Sequence, residues 1–178
     1  MNTQSVDVCP ETRALGRSVT AALARHKRRY QGTWLRALVL LQPNSTEPPS
    51  ALIEDTDLEP VDKLIWLVLM SRACNGDGVA VLPTHLELAR CANVAARQTV
   101  ASSLSILRCR RWMTVCRTSW RKGGQQIGSA YALHVTPLPI ADTIHLDPRY
   151  RSFVEESTGH RHARIRKAAK DVLGQLPE

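Results

Sequence analysis

The chain has 178 residues, 43% of them hydrophobic, which suits one globular domain with or without arms and argues against a disordered chain. Only 4% are aromatic, too few for a protein built on stacking platforms for single-stranded nucleic acid. The net charge is +8, from 24 Lys+Arg against 16 Asp+Glu, and 19 of the basic residues are Arg, whose planar fork of donors suits phosphates and base edges.

Residues 1–9 are expected to be disordered; they are mostly polar and lack the basic and apolar segments of a signal peptide. Glu11–Leu41 reads as one or two helices. Leu15, Val19, Ala22 and Leu23 recur at spacings of three and four, a basic cluster follows at Arg25–Arg29, and Trp34–Leu41 is a stronger apolar run. Gln42–Ser50 is a linker by composition, since Pro43, Pro48 and Pro49 forbid regular pairing. Glu54–Glu59 is acidic and leads to Pro60.

From Pro60 the pattern tightens. Pro60 suits the first turn of a helix and Asp62 the positive end of its dipole. Val61, Leu64, Ile65, Val68 and Leu69 form its apolar face. Asn75-Gly76-Asp77-Gly78 is turn chemistry, and Val79–Leu82 a short strand stopped by Pro83. Thr84 and Glu87 are spaced as a capping box for a short helix to about Cys91. A further helix runs from about Ala95 to Arg110, with Val100, Leu104 and Leu107 on its apolar stripe. The period then changes to two. Trp112–Arg117 and Ser129–Val135 read as strands around a basic glycine turn, Arg121–Gln126. Trp112 and Tyr131 are expected in the core of that hairpin. Pro137 and Pro139 end it. Leu146–Val154 reads as a short helix or extended arm, and Arg161–Leu173 as a basic helix with Ile165, Ala168, Ala169 and Val172 on one face.

This order predicts an α+β fold, mainly α with a small β-hairpin: a winged helix-turn-helix with flanking N- and C-terminal helices. Three regions follow: a helical arm and linker over 1–55, the winged domain over 56–140, and a C-terminal arm with its basic helix over 141–178. Charge is unevenly spread among them. Residues 1–60 carry seven basic and seven acidic side chains, whereas 61–140 carry ten and three. Between Glu87 and Asp142 no acidic residue occurs. A solvated face normally interleaves both signs, so this stretch suits a surface that must not repel a polyanion.

Leu88-Ala89, then Val94–Val100 (VAARQTV), then Leu104 and Leu107 resemble a helix-turn-helix of the bacterial regulator type, with a turn one residue longer. On that pattern Arg97 and Gln98 reach base edges, since Arg binds guanine and Gln binds adenine with two hydrogen bonds. Thr99, Ser102 and Ser105 share the helix, and the two serines fall opposite the apolar stripe, placed for phosphates or water. Arg108, Arg110 and Arg111 leave its C-terminal end. Arg117, Arg121 and Lys122 flank the wing and would meet backbone or minor groove. The competing reading of these residues is a solvated helix face and an ordinary polar hairpin tip.

No enzyme, metal or cofactor is expected, and no small-molecule substrate is evident. The five Cys and six His show no zinc spacing, no glycine-rich phosphate loop occurs, and Asp62, Asp77 and Glu87 are accounted for by helix starts and a turn. The Cys read as small buried hydrophobes of a reducing compartment. No apolar run approaches the roughly 20 residues that span a bilayer. Expectation therefore points to a cytoplasmic, nucleoid-associated bacterial protein.

Several segments together resemble the replication-protein family of bacterial pathogenicity islands and integrative conjugative elements. They are Leu58–Trp66 (LEPVDKLIW), Asn75–Val79 (NGDGV), Leu82-Pro83-Thr84, Thr99-Val100, Leu107–Trp112 (LRCRRW), Gly128–His134 (GSAYALH), Pro137-Leu138 and Leu146–Tyr150 (LDPRY), within about residues 55–175. The resemblance implies a DNA-binding protein of a mobile element, acting in replication or as a transcription regulator. Double-stranded DNA is the expected partner, bound by a monomer or by a homodimer formed through the terminal helices. A winged-helix docking module and a non-specific architectural DNA binder remain the alternatives.

Overall fold

The computed structural model describes residues 10–29, 36–41, 47–75, 78–120 and 126–177; for 11–12, 117–120 and 126–128 it describes the backbone alone. In chain order the elements are α1 (Pro10–Arg29), β1 (Ala37–Leu40), α2 (Ser50–Glu54), α3 (Pro60–Cys74), β2 (Val79–Val81) and α4 (His85–Cys91), then α5 (Arg97–Cys109), β3 (Met113–Trp120), β4 (Gln126–Leu133), α6 (Ile140–Leu146), α7 (Tyr150–Ser157) and α8 (Ala163–Leu173). The fold is α+β. Among the described residues no helix is long and apolar enough to cross a membrane.

Helix starts follow local chemistry. Pro60 opens α3, and Asp62 accepts from the Glu59 amide at 2.9 Å as half of a capping box. Thr84 Oγ1 accepts from the Glu87 amide at 3.2 Å, and Glu87 Oε2 accepts from the Thr84 amide at 2.7 Å, closing the box that starts α4. Helices α4 and α5 end alike. Asn93 (φ 50°) and Arg111 (φ 64°) take the left-handed conformation. The next amide turns back, Val94 to the Ala89 carbonyl and Trp112 to the Leu107 carbonyl, both at 2.9 Å. This is the Schellman closure, usually given to glycine; here Asn and Arg fill it.

The sheet corrects one expectation. Ala37–Leu40, read as the end of a helix, is β1, and it lies inside the sheet, whose order is β2-β1-β4-β3. It pairs antiparallel with β2 (Leu38 opposite Ala80) and parallel with β4 (Leu38 opposite Tyr131). All four residues are buried, because helices cover both faces of the sheet. A strand buried on both faces reads as an unbroken apolar run, which periodicity cannot tell from a buried helix. Residues assigned to a separate arm thus supply a central strand.

Alternation along the strands sorts the core into two layers. Leu38, Leu40, Met113 and Leu133 join Trp66, Leu69 and Leu107 under α3 and α5. Val39, Leu41, Val79 and Ala132 pack with Val19 and Ala22 of α1 on the other face. Trp112 is fully buried as expected; it meets Trp66 edge-on at 6.1 Å and donates to Asp55 at 2.8 Å. Tyr131 is only half-buried. A third cluster joins Tyr150 and Val154 of α7 and Ala168, Ala169 and Val172 of α8 to Cys109 at the end of α5. Leu146–Val154 is neither a single helix nor an arm but the end of α6, a tight turn and most of α7. The described Cys are not uniformly buried: Cys109 is, Cys74 and Cys116 are half-buried, and Cys91 is exposed, while Cys9 lies outside the described residues.

Candidate nucleic-acid interface

Helix α5 begins without a side-chain cap: Ala96 holds the N-cap position, and no acid lies in the first turn. Its leading amides therefore present partial positive charge outward. Arg97 and Gln98 are exposed on this turn and Thr99 is half-buried. Arg161, just before α8, donates from Nη2 to Gln98 Oε1 at 3.4 Å. Arg90 is exposed on α4, and Arg72 of α3 approaches Cys91 Sγ at 3.9 Å. Glu87 lies among these cations. The Thr84 hydroxyl and amide hold its carboxyl below the usual range, with Arg72 and Arg90 adding to the shift.

Farther along α5 the expected surface is occupied from within the protein. Ser102 is buried, and its hydroxyl has no partner among the described residues. Helix α8 packs against α5, with its Ala168 and Ala169 beside Cys109. Ser105 is half-buried and donates to the Ala101 carbonyl at 3.0 Å, a bond inside its own helix. Arg108 forms a two-pronged pair with Asp147, at 2.8 and 2.9 Å, and its guanidinium lies 4.0 Å from the Phe153 ring centroid. Asp147 is 1% exposed and also accepts from the Val115 amide at 3.2 Å. Arg110 bridges Asp57 at 3.0 Å and Asp171 at 2.8 Å. Arg111 closes α5 and donates from Nε to the Leu138 carbonyl at 2.8 Å. The three arginines expected to leave the helix toward a ligand thus tie it to α2, α6 and α8 and to the segments beside them. The Arg117 side chain and residues Arg121 and Lys122 lie outside what is described.

The structure therefore brings together Arg97, Gln98 and, unforeseen from sequence, Arg161. The only signal for Arg161 was its place in the basic tail. Helix α8 is also tied to the start of α3. Arg164 reaches Glu59 at 2.6 Å and also pairs with Asp62, which is fully buried. The site offers cations, an amide-bearing helix end and a side-chain amide, a set that binds anionic oxygens and base edges. No protein family, no curated protein and no solved structure matches this chain.

Proposed function

We propose that this protein is a sequence-specific double-stranded DNA-binding protein of a mobile genetic element, acting in transcription regulation or replication control. The element order α3-β2-α4-α5-β3-β4 supports a winged helix-turn-helix in which β1 is spliced between β2 and the hairpin. The resemblance of residues 55–175 supports the mobile-element setting. The observation that carries the reading is the uncapped, acid-free start of α5 with Arg97 and Gln98 exposed beside Arg161. In helix-turn-helix proteins the N-terminal residues of the second helix are the ones that meet base edges. The base-reading surface is accordingly one helix end, narrower than the whole face of α5. Arg108, Arg110 and Arg111 serve to hold that end in place.

Selection from a random duplex library at about 150 mM salt tests this, because weak phosphate contacts fade there. An enriched motif is expected. Arg97→Ala then costs roughly 1–3 kcal/mol on that motif and little on random duplex. Arg161→Ala weakens both alike and lowers the salt slope by about one. Binding without enrichment would make the protein an architectural binder. No binding at all would move the exposed helix end to a protein-docking role.

A further inference from the structure

We infer that the cleft between α5 and the sheet binds a small organic anion with a flat apolar body, an aromatic carboxylate or an aryl phosphate. The cleft holds about 230 Å³, many times the ~10–15 Å³ that a single water requires. Its polar lining comes from four parts of the chain: Arg36 before β1, His85 of α4, Ser105 and Arg108 of α5, and Tyr131 of β4. Among the described residues no carboxylate lines it. Leu104, Met113, Val115 and Phe153 supply apolar walls. Such a mixture, mostly apolar with a few convergent polar groups, is how proteins hold small molecules.

The two guanidiniums are set before any ligand arrives. Arg36 donates from Nη2 to Tyr131 Oη at 2.6 Å and lies 5.1 Å from that ring's centroid, and no carboxylate neutralises it among the described residues. The Tyr131 hydroxyl, accepting from Arg36, keeps its own proton to donate. Arg108 is locked between Asp147 and Phe153, the only Phe in the chain, with Nε and Nη2 used on the carboxylate. Burial, then the charge of Arg36, holds the His85 imidazole below its ordinary pKa, so it offers a hydrogen bond without adding charge.

Beside the cleft lies a second hollow of about 490 Å³ that shares Arg108, Val115, Tyr131 and Phe153 in its lining. Asp147 and Glu156 line that hollow, so an anionic head belongs at the Arg36 end. A phosphate of a DNA backbone carries the right charge but no flat apolar body to use the walls. Ala101 and Ser105 of α5 line the cleft, so an occupant would alter duplex affinity. That consequence rests on the duplex-binding reading; the binding of the anion does not.

Calorimetric titration of the full chain with benzoate, 2-naphthoate and phenyl phosphate, with inorganic phosphate alongside, tests the inference without DNA. The aryl anions are expected to bind saturably and at least ~10-fold more tightly than inorganic phosphate. Arg36→Gln is expected to weaken them by ~10-fold or more, and Tyr131→Phe by a smaller factor. Thermal melts check that each variant folds; should Arg36→Gln fail to, Tyr131→Phe and Ser105→Ala carry the test. Absence of saturable binding overturns the inference. So does equal affinity for inorganic phosphate, which would mean an adventitious ion only. Unchanged affinity in the folded variants overturns it too. Loss of duplex binding in Arg36→Gln without aryl-anion binding would give the cleft to the duplex footprint and overturn it as well.

Discussion

The two ends of α5 carry the same kind of side chain and meet opposite fates. At its start, Arg97 is exposed and no acid stands in the first turn. At its finish, Arg108 and Arg110 are 17% and 13% exposed and each is held by carboxylates. The difference lies in what the rest of the chain brings to each end. Asp147 comes from the end of α6, Asp171 from α8 and Asp57 from the segment after α2. An arginine-rich stretch is therefore two things at once, a surface at one end and a set of internal fasteners at the other.

Removing a fastener has the largest expected effect. Asp147→Ala leaves Arg108 unpaired and partly buried and is expected to cost about 3–5 kcal/mol, read from denaturant midpoints. Duplex affinity of the folded fraction should stay within about twofold of the parent; a larger loss would return Arg108 to the binding surface. Arg164→Ala strands the fully buried Asp62 carboxylate and is expected to cost about 2–3 kcal/mol. An unchanged midpoint would show that α8 is held by its apolar face alone.

Acid sharpens the same contrast. Past the C-terminal end of α5, the His134 ring is buried against the Thr114 hydroxyl at 2.9 Å, and burial pushes its pKa down to about 3. The unfolded chain takes up a proton below about pH 6.5 that the folded imidazole refuses. This contribution is complete above pH 6.5 and is lost as pH falls toward 3, at roughly 1.4 kcal/mol per unit. His134→Gln should flatten that limb in melts taken across the range; an equally steep limb would assign it to other groups. The smallest effect belongs to the exposed end. Arg97→Ala should change stability by no more than about 0.5 kcal/mol, and a larger shift in its melting curve would mean that it, too, is a fastener.

What could be read from sequence was what short-range chemistry decides. Pro60 with Asp62, and Thr84 with Glu87, announce their helices because donor and acceptor sit three or fewer residues apart. The amphipathic face of α8 was legible for the same reason. The destinations of Arg108 and Arg110 were not, because their carboxylates lie 39 and 61 residues onward. An acid-free stretch describes sequence neighbours, and Asp147 and Asp171 enter it only through the packing of α6 and α8. The strand at Ala37–Leu40 is hidden in the sequence for a related reason, since its partners are supplied by β2 and β4. At the candidate site, Arg97 and Gln98 stood where helical spacing put them, whereas Arg161 arrives from a segment 63 residues past Gln98.

The placement of β1 also sets a timetable. Leu40 pairs with Leu133, 93 residues later. At the usual pace of synthesis, about 5–20 residues per second, the strand waits roughly 5–20 s for its parallel partner to be made. Through that interval a wholly apolar segment, Ala37–Leu41, has at most one short antiparallel neighbour, and contacts of such long range are the slow ones in folding. The nascent chain thus carries a sticky, half-templated edge until the hairpin has been made, and a chaperone that shields apolar segments would find its first target there.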